Sequence, residues 1–358
     1  MTARGHELSS SADALSRAYD AALLDLDGVV YRGTQAVAHA AQALRAAEAE
    51  GMRLTFVTNN ASRTPEEVAA VLRGAGVDAD PAEVATSAQA AARLLADRLE
   101  PGAAVLVVGT NGLRQAVKEA GLTPVDSAEA APAAVVQGFS DRTTYAMLAE
   151  AAVAIGAGAL WVATNLDSTI PSARGLLPGN GALVAALSLA TGQTPLAAGK
   201  PQRPLHDEAV RRTGATRPLV VGDRLDTDID GAIAVGADSL LVLTGVSSLL
   251  DVVRLPAGRR PSYVGEDLRA LLEPHPLVEI DADSATCGPA TAVLEAGVIT
   301  VQAGGSATAA IRATCALGWA ATDRDIAISA IGGAHSDGPV GAPAHGKQVM
   351  DRSGAGAT

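Results

Sequence analysis

Aromatic residues are scarce: two Phe, two Trp and four Tyr stand among 358 positions, so any core must be packed by Ala, Val and Leu. Cysteine is almost as rare. Cys287 and Cys315 alone cannot build a disulfide framework, fit a reducing compartment, and are expected to pack as small apolar side chains. Positive charge is in deficit, with 27 Lys and Arg against 39 Asp and Glu and a formal charge of −12. That balance argues against nucleic acid or an anionic membrane as partner, while leaving room for a locally positive site that takes a small anion. No apolar run is long enough for a membrane span: the longest, residues 151–163, is short and Gly-rich. The N-terminus lacks an apolar signal core, since Asp13 and Arg17 interrupt it. A soluble, cytoplasmic protein is the expectation.

What the chain does have is 48% hydrophobic residues and length for two or three compact units. Apolar strand-like runs at 21–24, 54–57, 105–108, 133–136, 160–163, 219–221 and 240–243 alternate with Ala-rich helical stretches at 36–50, 65–74, 87–98, 111–120, 142–155, 181–191 and 204–213. Such alternation predicts an α/β fold with a parallel sheet and crossover helices. Composition breaks near Arg259-Arg260-Pro261, and Glu273-Pro-His-Pro276 reads as a linker. Beyond it, 293–302 reads as strand-like, 306–317 as a helix and 326–331 as a further strand; the Gly-rich tail from about 332 reads as disordered.

The chemistry gathers at strand ends. The strand at 21–24 runs into Asp25-Leu-Asp27-Gly28, two carboxylates at i and i+2 before a sharp turn, where open α/β sheets place ligands. Asp-x-Asp-Gly also opens calcium loops, but Val29 and Ala36 stand where such a loop needs a ligand and a Glu. The strand at 54–57 ends in Thr58-Asn59-Asn60, able to donate to a phosphate oxygen or simply to cap the next helix. Lys200 lies between turn residues in Gly199-Lys200-Pro201. The strand at 219–221 ends in Gly222-Asp223-Arg224-Leu-Asp226-Thr-Asp228, where three acids within six residues repel one another unless a cation sits among them. Oxygen-only ligands point to Mg²⁺.

These four stretches, with Thr164-Asn165-Leu-Asp167 and Val136-Gln-Gly-Phe-Ser-Asp-Arg-Thr-Thr-Tyr145, resemble the haloacid dehalogenase (HAD) superfamily phosphatases, in the branch of nitrophenylphosphatases and phosphoglycolate phosphatases. The resemblance covers about residues 20–272 and departs at Thr34–Ala38, which lacks the usual Pro-Gly-Ala helix entry. It implies a Rossmann-like core from residues 1–86 and 191–273, and a large C2-type α/β cap from 87–190. It further implies that Asp25 is the nucleophile, Asp27 the general acid and base, and Lys200 the charge-offsetting cation. Thr58 and Asn59 would bind the phosphoryl group; Asp25, the Asp27 carbonyl, Asp223 and Asp228 would hold Mg²⁺. Asn165 and Asp167, and more remotely Arg174, are the cap residues expected to face a substrate; a turn-capping role is the alternative for the first two.

Small phosphomonoesters are the implied substrates. The extra C-terminal unit in an Ala/Arg-rich chain resembles actinobacterial glycerol-3-phosphate phosphatases and favours glycerol 3-phosphate over phosphoglycolate or pyridoxal phosphate. The 85 residues after Glu273 include Gln302-Ala-Gly-Gly-Ser-Ala307, which resembles the pyrophosphate turn of GNAT acetyltransferases, but they are too few for that whole fold. A small α/β packing or dimerisation module is expected, so a homodimer is allowed. A phosphometabolite-binding regulator with slow turnover and a bifunctional acyltransferase are the competing functions.

Overall fold

The computed structural model describes residues 8–332 apart from 34, 173 and 303. Its central sheet has six strands, in the spatial order Tyr263–Gly265, Asp238–Val242, Pro218–Gly222, Ala21–Leu24, Arg53–Thr58 and Val84–Thr86. Every neighbouring pair is parallel. Leu24 lies level with Val221 on one side and Phe56 on the other, so these three strands end within two residues of one another. The chain leaves Ala21–Leu24 toward one edge and returns to its other side at Pro218–Gly222. That reversal opens a crevice at the carboxyl ends, the ligand-binding place of open α/β sheets. Leu24, Leu54, Phe56, Val221, Leu240 and Val242 fill one face together with Leu44 and Leu72 from flanking helices.

A second parallel sheet, in the order Leu196–Ala197, Leu160–Ala163, Ala134–Gln137, Ala104–Val108 and Thr123–Val125, is formed by the long insertion. Its last strand lies past residue 190, the limit expected for the inserted unit. An exposed hairpin, Thr169–Ser172 with Gly175–Pro178, carries Arg174 at its turn. A third sheet is antiparallel except at its final pair and runs through Glu279–Ile280, Ser284–Cys287, Ala290–Glu295, Val298–Gln302 and Ala330–Gly332. The helix Ala307–Thr322 packs on it, and Cys287 and Cys315 are both buried and unbridged, as expected.

Several boundaries differ from expectation. The helix expected at 36–50 begins only at Ala40, because Gln35–Ala36 fold back on Tyr31–Arg32 as a hairpin. The run 293–302 is two strands divided by a turn at Ala296-Gly297, both with positive φ. The last strand is limited to Ala330–Gly332 and the preceding helix extends to Thr322. Pro274–His275 is no linker: it pairs with Ser11–Ala14, and His275 is fully buried. The tail expected to be disordered lies outside the described residues from 333 onward. Among the described residues no helix is long and apolar enough to cross a membrane.

Candidate active site

The Asp25 amide donates to Val221 O at 2.8 Å, so the ladder runs one residue past the strand and fixes the first carboxylate at the crevice. Gly28 then turns the chain with φ +91°, and a Cβ there would stand 2.4 Å from Asp223 Oδ2. Gly245 approaches Asp223 as closely from the opposite loop, where the Val246 amide donates to Asp223 Oδ2 at 2.6 Å. Two glycines and one amide thus pin a carboxylate that is fully buried. Its other oxygen, Oδ1, is buried without a hydrogen-bond partner among the described residues.

Lys200 Nζ bonds the Asp25 carboxylate, and donates to Asp228 Oδ1 at 2.7 Å and to Val57 O at 3.4 Å. Asp228 Oδ2 accepts from the Arg224 amide at 3.1 Å. Oxygens of Asp25, Asp223 and Asp228 all lie within 4.8 Å of one another, a grouping of the kind that holds a metal ion. One ammonium faces three carboxylates. Burial, countered in part by Lys200 and reinforced by Asp228, pushes the Asp25 carboxyl up to about 6. Burial together with Asp25 and Asp228 pushes Asp223 up to about 8. Lys200 is raised despite its burial, because Asp228 and Asp25 outweigh the loss of solvent. An orphaned carboxylate oxygen amid excess negative charge fits a hard divalent cation with oxygen ligands.

Asp27 lies at the exposed mouth, with its Oδ1 accepting from the Gly33 amide at 3.4 Å. Thr58 Oγ1 accepts from the Asn60 amide at 3.1 Å, which leaves its own O–H to donate. Asn59 is differently employed. Its Oδ1 accepts from the Lys200 amide at 2.8 Å, and its Nδ2 donates to Lys200 O at 3.1 Å and to Asp167 Oδ1 at 3.3 Å. Asn165, expected to face substrate, is 5% exposed and donates from Nδ2 to Asn59 O at 2.7 Å. Its Oδ1 accepts from the Asp167 amide at 3.2 Å, so Asn165 is a positioning residue at the junction of the two sheets.

The structure therefore brings Asp25, Lys200, Asp223 and Asp228 together, and locks Asn59, Asn165 and Asp167 into one knot beside them. Sequence reasoning missed three members. Asn180 Nδ2 donates to Asn165 O at 2.8 Å. Ser87 Oγ donates to Asn59 O at 2.6 Å. The loop amide of Val246 clamps Asp223, and a glycine soon after an apolar strand was the signal for it. Burial raises the Asp167 carboxyl, opposed by the Asn59 amide and by nearby Arg224.

Residues 22–123 match the haloacid dehalogenase-like hydrolases, and residues 197–271 match a HAD-hydrolase-like family. The D-glycerol 3-phosphate phosphatase of Mycobacterium tuberculosis is 53% identical over 266 residues, 74% of each chain. The chain belongs to the haloacid dehalogenase-like hydrolases. A glycerol phosphate phosphatase from M. tuberculosis, solved in complex with magnesium, aligns at 46% identity and TM-score 0.78 over 89% of this chain and 94% of that one. A thermostable nitrophenylphosphatase from Geobacillus stearothermophilus, a double mutant, aligns at 35% identity and TM-score 0.65, covering 70% of this chain and 97% of its own.

Proposed function

We propose that the chain is a magnesium-dependent phosphomonoesterase that hydrolyses glycerol 3-phosphate to glycerol and phosphate through an aspartyl-phosphate. The observation that carries the chemistry is Asp25, bonded to Lys200 and grouped with Asp223 and Asp228, with a second acid two residues on. The substrate rests on the kinship with D-glycerol 3-phosphate phosphatase. Asp25, the Asp27 carbonyl, Asp223 and Asp228 would hold Mg²⁺, which supplies positive charge to the phosphoryl oxygens and relieves carboxylate repulsion.

In this reading an Asp25 oxygen attacks phosphorus as the ester P–O bond breaks, and Asp27 gives its proton to the departing alkoxide. Asp27 then takes a proton from the water that attacks the phosphorus of the acyl phosphate. Asp25 is released together with phosphate. Lys200 and the Thr58 hydroxyl stabilise the equatorial oxygens, where charge collects. The insertion, 87–190 with its closing strand at 196–197, acts as the cap that excludes water. On its side of the crevice, Asp167 offers an acceptor for a hydroxyl of the alcohol, held in place by Asn59 and Asn165.

The test is phosphate release from glycerol 3-phosphate, phosphoglycolate, pyridoxal phosphate and nitrophenyl phosphate, with Mg²⁺ or EDTA. Wild type, Asp25→Asn and Asp27→Asn are compared. Preference for glycerol 3-phosphate that is lost with EDTA and falls by at least about 10³-fold in either variant is expected. Turnover of another ester would replace the substrate and keep the mechanism. Full activity of Asp25→Asn would overturn the mechanism.

A further inference from the structure

Phe56, Leu24 and Val221 stand level on three neighbouring strands of the central sheet. Three residues beyond each come Asn59, Asp27 and Arg224. Asp27, the proton donor to the departing alcohol, is therefore the middle one, flanked by the other two. Neighbouring strands lie about 4.8 Å apart, so the strands that carry the flanks run about 10 Å apart. On the first flank Asn59 holds Asp167, four residues past the strand Leu160–Ala163 of the second sheet. Its Nδ2 reaches Asp167 Oδ1 at 3.3 Å and Oδ2 at 3.4 Å. One amide shared so thinly leaves the carboxylate most of its acceptor capacity. Arg224, on the other flank, has donors to spare. Asp226 takes its Nε at 3.1 Å and its Nη2 at 3.0 Å, a fork that fixes the guanidinium plane. Its Nη1 has no hydrogen-bond partner among the described residues. Burial works against the Arg224 charge, but Asp226, Asp167 and Asp223 outweigh it and raise the pKa.

We propose that Arg224 and Asp167 together read the alcohol of the ester, Arg224 donating to one hydroxyl and Asp167 accepting from another. The site then takes phosphomonoesters of small vicinal diols and discriminates against plain alkyl esters of the same length. A hydroxyl offers both a lone pair and a proton, so a diol satisfies the donor on one side and the acceptor on the other. A hydrocarbon chain in the same place strips water from both and gives nothing back, which is how a polar site rejects an apolar analogue. The ion pair with Asp226 is no sufficient reason for an arginine here. Its partners are 44% and 62% exposed, and such pairs contribute little to stability. The Arg224 main chain has separate work. Its amide donates to Asp228 Oδ2 at 3.1 Å, and its carbonyl accepts from the Asp228 and Ile229 amides at 3.1 and 3.2 Å. Replacing the side chain leaves those bonds in place, which separates the reading of the alcohol from the holding of a metal-ligating carboxylate.

Both roles rest on the phosphatase reading, and the test keeps the two apart. With Mg²⁺ present, kcat/KM is measured for glycerol 3-phosphate and for propyl phosphate, which has the same three carbons and no hydroxyl. Wild type, Arg224→Met and Asp167→Ala are compared as full chains. Wild type is expected to favour glycerol 3-phosphate at least about 10²-fold, and each substitution to lower that ratio at least about tenfold. A loop disturbed for structural reasons lowers both esters alike, so an unchanged ratio in Arg224→Met would overturn the proposal however active the variant is. An unchanged ratio with a shifted Mg²⁺ midpoint would make Arg224 a support of the metal loop instead. Equal turnover of the two esters by wild type would overturn the proposal and keep the phosphatase. Hydrolysis of neither ester by wild type would overturn the phosphatase reading itself.

Discussion

Asp223 depends on what its neighbours lack. A methyl group at Gly245 would stand 1.8 Å from Asp223 Oδ2, and the Val246 amide next to it holds that same oxygen. Gly245→Ala must therefore displace a carboxylate that has no room to yield. Losing the orientation of one ligand costs about 10–100-fold in metal affinity. The expected outcome is a correspondingly higher Mg²⁺ concentration for half-maximal phosphate release, at unchanged affinity for substrate under saturating Mg²⁺. A Mg²⁺ titration of activity checks it; an unchanged midpoint would mean that the loop, not the glycine, sets the geometry. The carboxylates of this site could be read from the chain because each stands one to six residues past an apolar strand. The glycine and the amide could not, since their service to Asp223 depends on a loop that returns 22 residues later.

Among the elements, the joint between the first two sheets is an apolar cluster of Leu23, Val57 and Val220 with Val105, Val136 and Val162, edged by side chains that pin the main chain. Asn59 directly follows one strand of the central sheet and grips both the amide and the carbonyl of Lys200, 141 residues on. Asn165, just past a strand of the second sheet, grips the Asn59 carbonyl. Removing the Asn59 amide frees the Lys200 backbone, and a misplaced catalytic group costs up to about 10²-fold. Asn59→Ala should accordingly lower kcat about 10–100-fold while KM moves little, which steady-state kinetics on glycerol 3-phosphate would show. A rise confined to KM would instead place Asn59 on the substrate. The strands and helices themselves were legible, because alternating apolar runs and capped helix starts such as Thr64-Pro65 announce them locally. The short pairings were not. Ser11–Ala14 finds its partner at Pro274–His275, and no local pattern can announce a two-residue strand whose mate is so remote.

The same distant pairing governs the whole molecule. Arg312, fully buried in the C-terminal helix, donates from Nη2 to Ser9 O at 2.9 Å and to Pro276 O at 2.8 Å, and from Nη1 to His275 Nδ1 at 3.3 Å. His275 Nε2 in turn donates to Ala270 O at 2.8 Å, so the ring is held as the neutral tautomer. Burial, opposed by the Ala270 bond and helped by Arg312, brings its pKa down from 6.5 to about 4. Between those values the unfolded chain binds a proton that the folded chain refuses. Stability from this group is full above about pH 6.5 and is lost as pH falls toward 4, with a slope of up to about 1.4 kcal/mol per pH unit. Urea unfolding at pH 7, 5.5 and 4.5 should show His275→Gln less stable than wild type at pH 7 and the gap narrowing in acid. A gap that stays constant would mean the ring is not buried neutral.

The C-terminal unit is also joined to the core by packing. Leu241, Val252, Val253 and Val264 of the central unit share one apolar cluster with Ala292, Ile299, Ile311 and Trp319 of the third sheet and its helix. Trp319 Nε1 donates to Val252 O at 2.7 Å, and a methyl at Gly318 would meet Val253 Cβ at 2.5 Å. The Gly-rich turn that resembles a pyrophosphate cradle has a packing reason, for a Cβ at Gly304 would stand 2.4 Å from Pro289 O. A cluster shared in this way melts as one unit, and the second sheet is tied in likewise: Val105, Val136 and Val162 share a cluster with Leu23, Val57 and Val220 of the central sheet, while Trp161 lies in the cluster on its other face. The two tryptophans of the chain stand one in each. In Trp161→Phe, fluorescence comes from Trp319 alone, and its urea transition should coincide with the loss of phosphatase activity. In Trp319→Phe, the Trp161 transition reports the second sheet and, through the shared cluster, should coincide with it as well. A Trp319 signal that melts well before activity is lost would show the C-terminal unit to be a separable domain, and the shared cluster too weak to bind it to the core.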